Sequence, residues 1–236
     1  MKAPQKNLPI KIMSSFTKTP LRLRAFTLLE LLVVMVIIAL LAALILPVYG
    51  SMKRHANQTA GLSNMRQVAI AMLSYAGEHD YQLPGRETGQ SGADRWPKLI
   101  APYVQNTTIF AAPGDPANFI VRKADPLSNT TNNTSFIMNG YNDLGMLDQP
   151  NMDVRINRIE TPSGTLLLGT PKSGSIHFFM DFLEPPHGNN KDILNLKAYE
   201  DGSNYVFADG SARFIKETDY RDTLWLVDKS YVIPSL

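Results

Sequence analysis

The feature that most constrains this 236-residue chain is an unbroken apolar run near its N terminus. Residues 26–46 read FTLLELLVVMVIIALLAALIL, and no side chain from Leu31 to Leu46 carries a hydrogen-bonding group. As an α-helix these residues span roughly 31 Å, at about 1.5 Å per residue, which matches the hydrocarbon core of a bilayer. Because a chain in lipid must satisfy its own backbone hydrogen bonds, the run predicts a membrane-spanning helix.

The charges on either side of the run predict its orientation. Residues 1–25 carry six basic side chains and no acidic one, whereas the chain from Glu78 onward carries 20 acids and 14 bases. Because a basic flank stays on the cytoplasmic side, we expect a single-pass protein of the inner (cytoplasmic) membrane. Its N terminus would be cytoplasmic, and its acidic C-terminal domain would be exported to the periplasmic side.

One acidic residue, Glu30, interrupts the start of the apolar run. A charge inside a membrane span is costly and normally marks a function. A cleavable secretory signal, whose apolar part has about 7–15 residues, does not explain it, and neither does a plain signal anchor. A cut before Phe26 would create an ammonium group four residues from Glu30 on the same helical face. The carboxylate would then have a counter-ion in its own chain or in a neighbour.

The residues from Arg22 to Tyr49 resemble the N terminus of the type IV pilin and type II secretion pseudopilin family. They combine a basic leader, the small residue Ala25, the sequence FTLLEL, an apolar helix and a proline. The resemblance implies that a prepilin peptidase cleaves between Ala25 and Phe26 and N-methylates Phe26. Ala25 stands where the family usually has Gly, and its small side chain is compatible with cleavage. We expect Glu30 to set the register between neighbouring subunits.

The helix is expected to continue beyond the membrane, because no proline occurs between Pro47 and Pro84. Pro47 itself removes one backbone hydrogen bond and would kink or loosen the helix there. Beyond it, apolar residues return every three or four positions, which predicts an amphipathic helix with one stripe: Leu62, Met65, Ala69, Met72 and Ala76. We expect this stripe to pack as core onto the following domain rather than to form an exposed recognition surface.

The remainder of the chain has the turn-rich pattern of a small β-rich domain. Residues 164–168 predict a short buried strand, and residues 176–182 alternate so that the even positions would form a core face. Residues 204–215 predict a hairpin with Asp209 and Gly210 as its two-residue turn, where both residues would need positive φ.

These segments define the expected organisation of the chain. Residues 1–25 are a cytoplasmic leader, 26–47 a transmembrane and assembly helix, 48–78 its amphipathic continuation, and 79–236 the exported domain. The predicted fold class is α+β and pilin-like, with a long N-terminal helix packed on a small antiparallel sheet.

A second resemblance covers parts of the exported half. Residues 64–84, 96–104, 135–141 and 205–211 look like pseudopilin-like proteins of planctomycete and verrucomicrobial groups. Many of those proteins carry a His ten positions before the Asp-Gly pair, and this chain has Tyr199 there. Either an insertion separates the two parts of that pattern or the role of the His is absent.

Two groups of residues in the exported domain are candidates for chemistry. His177, Asp181 and His187 could form an acid–base or metal cluster, but no motif adds a nucleophile or a further ligand. The acidic stretch that ends at Asp209 could bind calcium, with Asp201 and Asp209 as candidate ligands, although EF-hand spacing is absent. A solvated acidic loop is the simpler interpretation. We therefore expect no enzymatic activity and no obligatory cofactor.

Composition narrows the choice of function further. The chain has no Cys, which excludes a thiol nucleophile, a disulfide framework and a zinc ribbon. Beyond Arg54 the basic residues do not cluster with aromatic ones, which argues against nucleic-acid binding as the main role.

Together these features predict a prepilin-type structural subunit of a type II secretion pseudopilus or a type IV pilus-like filament. Staggered copies of the helix would replace lipid around the apolar run, and contacts of this heterologous kind generate a helical filament. The expected partners are the prepilin peptidase, other copies of the chain and related pilin-like subunits, the inner-membrane assembly platform and the lipid bilayer. The alternative is a monomeric, single-pass anchor that displays a periplasmic binding domain.

The mature N terminus provides the first test. In cells that contain a prepilin peptidase, we expect mass analysis of the mature protein to find N-methylated Phe26 as its first residue. An intact Met1, or a cut beyond Pro47, would exclude prepilin processing.

Overall fold

The computed structural model describes residues 26–85, 95–114, 134–144, 154–172, 175, 177–180 and 193–233. The chain divides into two compact units, one that ends at Pro47 and one that begins at Val48. The second unit contains a sheet of five strands.

Helix α1, Leu28–Glu78, is the first element, and its assignment is continuous through Pro47. Among the described residues, it is the one helix that is long and apolar enough to cross a membrane, judged by length and composition. Every large apolar side chain from Phe26 to Leu46 is between 47% and 84% exposed. This part of the helix therefore has no apolar partner among the described residues of its own chain.

In the second unit the helix is amphipathic, as the spacing of its apolar residues predicts. Its buried residues are each at most 1% exposed: Met65, Val68, Ala69, Ala71, Met72 and Ala76. Ile70, on the other face, is 53% exposed. The stripe packs in one core cluster with residues of the sheet such as Leu168 and Val206. The prediction that the stripe forms core is confirmed for Met65, Ala69, Met72 and Ala76, whereas Leu62 is only half-buried.

Two amides fix the helix to the rest of the second unit through main-chain carbonyls. Nδ2 of Asn204, on the sheet, donates to the carbonyl oxygen of Gln58 at 2.8 Å. Nδ2 of Asn64, on the helix, donates to the carbonyl oxygen of Ala111 at 3.0 Å. A short helix α2, Trp96–Ile100, is followed by a 3₁₀ turn, Ala101–Tyr103. Its Trp96 is fully buried.

The sheet has the strand order β3-β1-β2-β4-β5. Its strands are β1 Ile137–Asn139, β2 Leu166–Gly169, β3 Phe179–Met180, β4 Gly202–Phe207 and β5 Ala212–Lys216. Strands β1 and β3 pair in parallel and the other neighbours are antiparallel, so the prediction of a purely antiparallel sheet is wrong. A tight turn forces antiparallel pairing only on the strands it joins, and β3 reaches β1 after β2 has intervened. The α+β fold class is confirmed.

Strand β3 also departs from the predicted alternation. Phe178, Phe179 and Met180 are all at most 6% exposed, so burial is not confined to the even positions. Phe179 packs with the cluster that contains helix α1, and Met180 packs with a second cluster around Trp225 and Tyr205. Because both faces of the sheet are covered, period-two hydrophobicity cannot tell one face of this strand from the other.

The β4–β5 hairpin forms as predicted, but its turn differs. The N–H of Gly210 donates to the carbonyl of Phe207 at 2.9 Å, so Ala208 and Asp209 are the central residues of the turn. Gly210 has φ +80, whereas Asp209 is not among the residues with positive φ. The prediction of a two-residue turn with Asp209 and Gly210 both at positive φ is therefore wrong. A type I turn followed by a left-handed Gly, a common three-residue hairpin loop, replaces it.

The packing of the amphipathic stripe is testable with two substitutions on one helix. Met72→Ala should destabilise the protein by about 2–5 kcal/mol, because it removes a fully buried side chain from the core. Ile70→Ala should change the stability by no more than about 0.5 kcal/mol, since Ile70 is mostly exposed. Thermal unfolding of the detergent-solubilised full chain measures both. Equal losses from the two variants would contradict the assignment of the buried face.

Candidate functional site

The N-terminal end of helix α1 is closed by reciprocal hydrogen bonds between Thr27 and Glu30. Thr27 precedes the first helical residue, Leu28, and Glu30 is the third residue of the helix. Oε2 of Glu30 accepts hydrogen bonds from the N–H and the hydroxyl of Thr27, both at 2.9 Å. In return, Oγ1 of Thr27 accepts the N–H of Glu30 at 3.2 Å. This is a capping box, which satisfies backbone donors that a helix start otherwise leaves unpaired.

The capping box gives Glu30 a role within its own chain in addition to the expected pairing with a counter-ion. The signal was present in the sequence as Thr-x-x-Glu ahead of an apolar run, which is the pattern of a helix start. A carboxylate there also interacts favourably with the positive end of the helix dipole. The cost of placing Glu30 in an apolar segment is therefore partly offset before any second charge arrives.

The structure describes only one of the two residues at the expected cleavage position. Phe26 directly precedes Thr27, and its side chain is 81% exposed. Ala25 lies outside the described residues. No described residue donates a hydrogen bond to Oε1 of Glu30, the carboxylate oxygen that the capping box leaves unused.

Comparison with known proteins identifies this end of the chain. Residues 22–46 match the family model described as the prokaryotic N-terminal methylation motif. The chain carries a prepilin-type N terminus. No curated protein and no solved structure matches the chain. The predicted resemblance to planctomycete and verrucomicrobial proteins therefore stays a prediction.

The match has direct consequences for the protein. The motif supports a prepilin-type pilin or pseudopilin that a prepilin peptidase processes. The exposed apolar helix that begins two residues after Phe26 fits a membrane-anchored pilin. Of the residues predicted from sequence, Ala25, Phe26 and Glu30 fall within this motif, and Glu30 is part of the capping box.

The two calcium candidates do not come together. Asp201 precedes strand β4 and Asp209 follows it, so the strand of six residues, roughly 20 Å long, separates them. Asp201 forms an ion pair with Nζ of Lys216 at 3.1 Å. Oδ1 of Asp209 accepts the N–H of Ser211 at 2.8 Å within the hairpin turn. The two carboxylates cannot bind one ion, and each has a local partner.

The other predicted cluster is only partly described. His177 is half-buried, and its backbone N–H donates to Oγ of Ser175 at 3.3 Å. Asp181 and His187 lie outside the described residues. Within the described parts of the chain, no group of three or more His, Asp or Glu residues is arranged to hold a metal ion.

Asp143 is a carboxylate with a structural role. Its Oδ2 accepts the N–H groups of Val227 and Asp228, both at 2.6 Å. Burial raises the pKa of Asp143, although these two N–H groups favour the ionised form. The bonds hold the segment that follows Trp225, which covers the second face of the sheet.

Calcium titration separates a local role of Asp201 from a metal-binding role. We expect Asp201→Ala to cost about 1 kcal/mol or less, because it removes only a largely exposed ion pair. The melting temperature of the variant should respond to calcium as the wild type does. A calcium-induced rise that is present in the wild type and lost in the variant would restore Asp201 as a ligand.

Proposed function

We propose that the mature protein is a filament subunit, assembled into a type II secretion pseudopilus or a type IV pilus-like filament. Prepilin peptidase would remove residues 1–25 and methylate the new N terminus at Phe26. The observation that supports assembly best is the pairing of a fixed carboxylate at the helix start with an apolar helix surface that no described residue covers.

The electrostatics at the start of helix α1 favour an ion pair between Glu30 and a neighbouring chain. After cleavage, an ammonium group would lie next to Thr27, at the helix end where the dipole disfavours positive charge. Glu30 supplies a compensating negative charge at that end. The capping box uses Oε2 of Glu30, so Oε1 is oriented by its own chain and can accept the ammonium of a neighbouring subunit.

The apolar surface favours the same conclusion. A helix exposed along its whole circumference from Phe26 to Leu46 is stable in lipid or among other apolar helices. Moving from the bilayer into a bundle of identical helices exchanges one apolar environment for another, so helix packing and the Glu30 ion pair would decide whether assembly proceeds. Head-to-tail contacts that do not close into a ring extend into a filament.

The partners of the subunit follow from this function. They are copies of this chain or related pilin-like subunits, the assembly platform in the inner membrane, and the bilayer before assembly. A monomeric anchor with a periplasmic binding domain would share the membrane helix but would have no use for an ion pair between chains.

Two substitutions of Glu30 separate its charge from its hydrogen bonds. Glu30→Gln keeps an acceptor for the Thr27 capping box but removes the charge, whereas Glu30→Ala removes both. If the charge sets the register, both variants should insert into the membrane and yield about tenfold fewer filaments, since a charge-assisted contact contributes about 1.5–3 kcal/mol. The sheared filament fraction and the membrane fraction, compared by immunoblot, measure the two steps.

The outcome for the glutamine variant decides between the roles. Normal filament yield from Glu30→Gln with a loss in Glu30→Ala would assign Glu30 to helix capping alone. Normal yield from both variants, or no filaments from the wild type, would favour the monomeric anchor.

A further inference from the structure

The second unit contains a cavity of about 150 Å³ whose polar lining comes from three parts of the chain. Arg54 and Asn57 belong to helix α1, Thr170 follows strand β2, and Tyr199 lies in the turn before strand β4. Gly114 completes the lining on one side. The cavity is thus built from segments that are distant in sequence.

Packing around the cavity fixes its shape. Arg54 and Asn57 are three residues apart and lie on the same face of the helix. Gly114 has φ +83, and a Cβ atom at this position would overlap Asn57, so only glycine allows the loop to approach the helix this closely. Thr170 is 3% exposed, which makes it a fixed part of the wall.

Arg54 is the charged group of the lining. Its Nε lies 3.5 Å from Oε2 of Glu200, and the two side chains are 56% and 69% exposed. Exposed ion pairs of this kind contribute little stability, so an incoming anion can replace Glu200. A guanidinium presents a planar fork of donors that fits a phosphate group with two hydrogen bonds.

The position of Arg54 in the chain indicates where such a phosphate would come from. It follows Leu46, the last residue of the apolar run, by only eight residues of the sequence. The phosphate groups of lipids lie in the headgroup layer directly beyond the hydrocarbon core, so lipid is the phosphate source nearest to Arg54 along the chain. Tyr49 is 63% exposed, and tyrosine is enriched where a membrane span meets water.

We infer that this cavity binds the phosphodiester group of a membrane glycerophospholipid. Arg54 is the ionic contact, and the Asn57 amide and the Thr170 hydroxyl are hydrogen-bond donors. The inference rests on the membrane anchorage in the proposed function, and it does not depend on filament assembly.

Native mass spectrometry of the full chain tests the site. The protein is purified in dodecyl maltoside, which carries no phosphate, and mixed with phosphatidylglycerol. Arg54→Gln should reduce bound lipid by about tenfold, because it removes the charge-assisted contact while keeping a side chain of similar length. Asn57→Asp, which places a negative charge in the cavity without changing its size, should also reduce it.

Lys53→Gln is the matched control, because Lys53 has the same charge and adjoins Arg54 but does not line the cavity. It should retain lipid as the wild type does. Equal losses from Lys53→Gln and Arg54→Gln, or no loss from either, would overturn the inference. Sodium phosphate at the lipid concentration should not displace the lipid, and complete displacement would show a site for free phosphate instead.

The readout is independent of the proposed function. Lipid retention is measured on the unassembled chain, and the mass of the mature N terminus is measured separately. A wild-type protein with methylated Phe26 and normal filaments but no Arg54-dependent lipid would overturn this inference alone.

Discussion

The structure depends on one constraint, which is that a single 51-residue helix must satisfy two different surroundings. Before Pro47 its apolar side chains are exposed on every face, whereas beyond Leu62 most of them lie in one buried stripe that packs in the core with residues of the sheet. Apolar surface that the described residues leave uncovered is stable when lipid or other protein surface covers it. The second unit, in contrast, completes its core from its own residues.

The start of this helix combines local stability with a position for a second charge. Thr27 and Glu30 satisfy each other's backbone donors, so the carboxylate is held before any partner is present. A group that is already oriented loses little conformational entropy when it binds. This explains how one acidic residue can be tolerated at the start of an apolar segment. The prepilin-type motif at residues 22–46 includes this carboxylate.

In the second unit, two side-chain amides position the helix. Asn204 of the sheet donates to the carbonyl of Gln58 on the helix, and Asn64 of the helix donates to the carbonyl of Ala111 in a loop, so the helix is held at two points. The same register brings Arg54 and Asn57 beside Thr170 and Tyr199. Residues with no common motif therefore line one cavity, and the acidic candidates Asp201 and Asp209, close in sequence, end up at opposite ends of strand β4.

The sequence by itself determined the helix, its apolar and amphipathic halves, the capping motif, the short strand β2 and the β4–β5 hairpin, because each depends on periodicity or on contacts within a few residues. Only the tertiary structure decided the parallel pairing of β1 with β3, the burial of both Phe178 and Phe179, and the lining of the cavity. These features arise from segments far apart in the chain, whose order in space is set by packing against the helix. The structure also decided that Gly210 has positive φ in the hairpin turn and Asp209 does not, since Asp-Gly is compatible with both a two-residue and a three-residue loop.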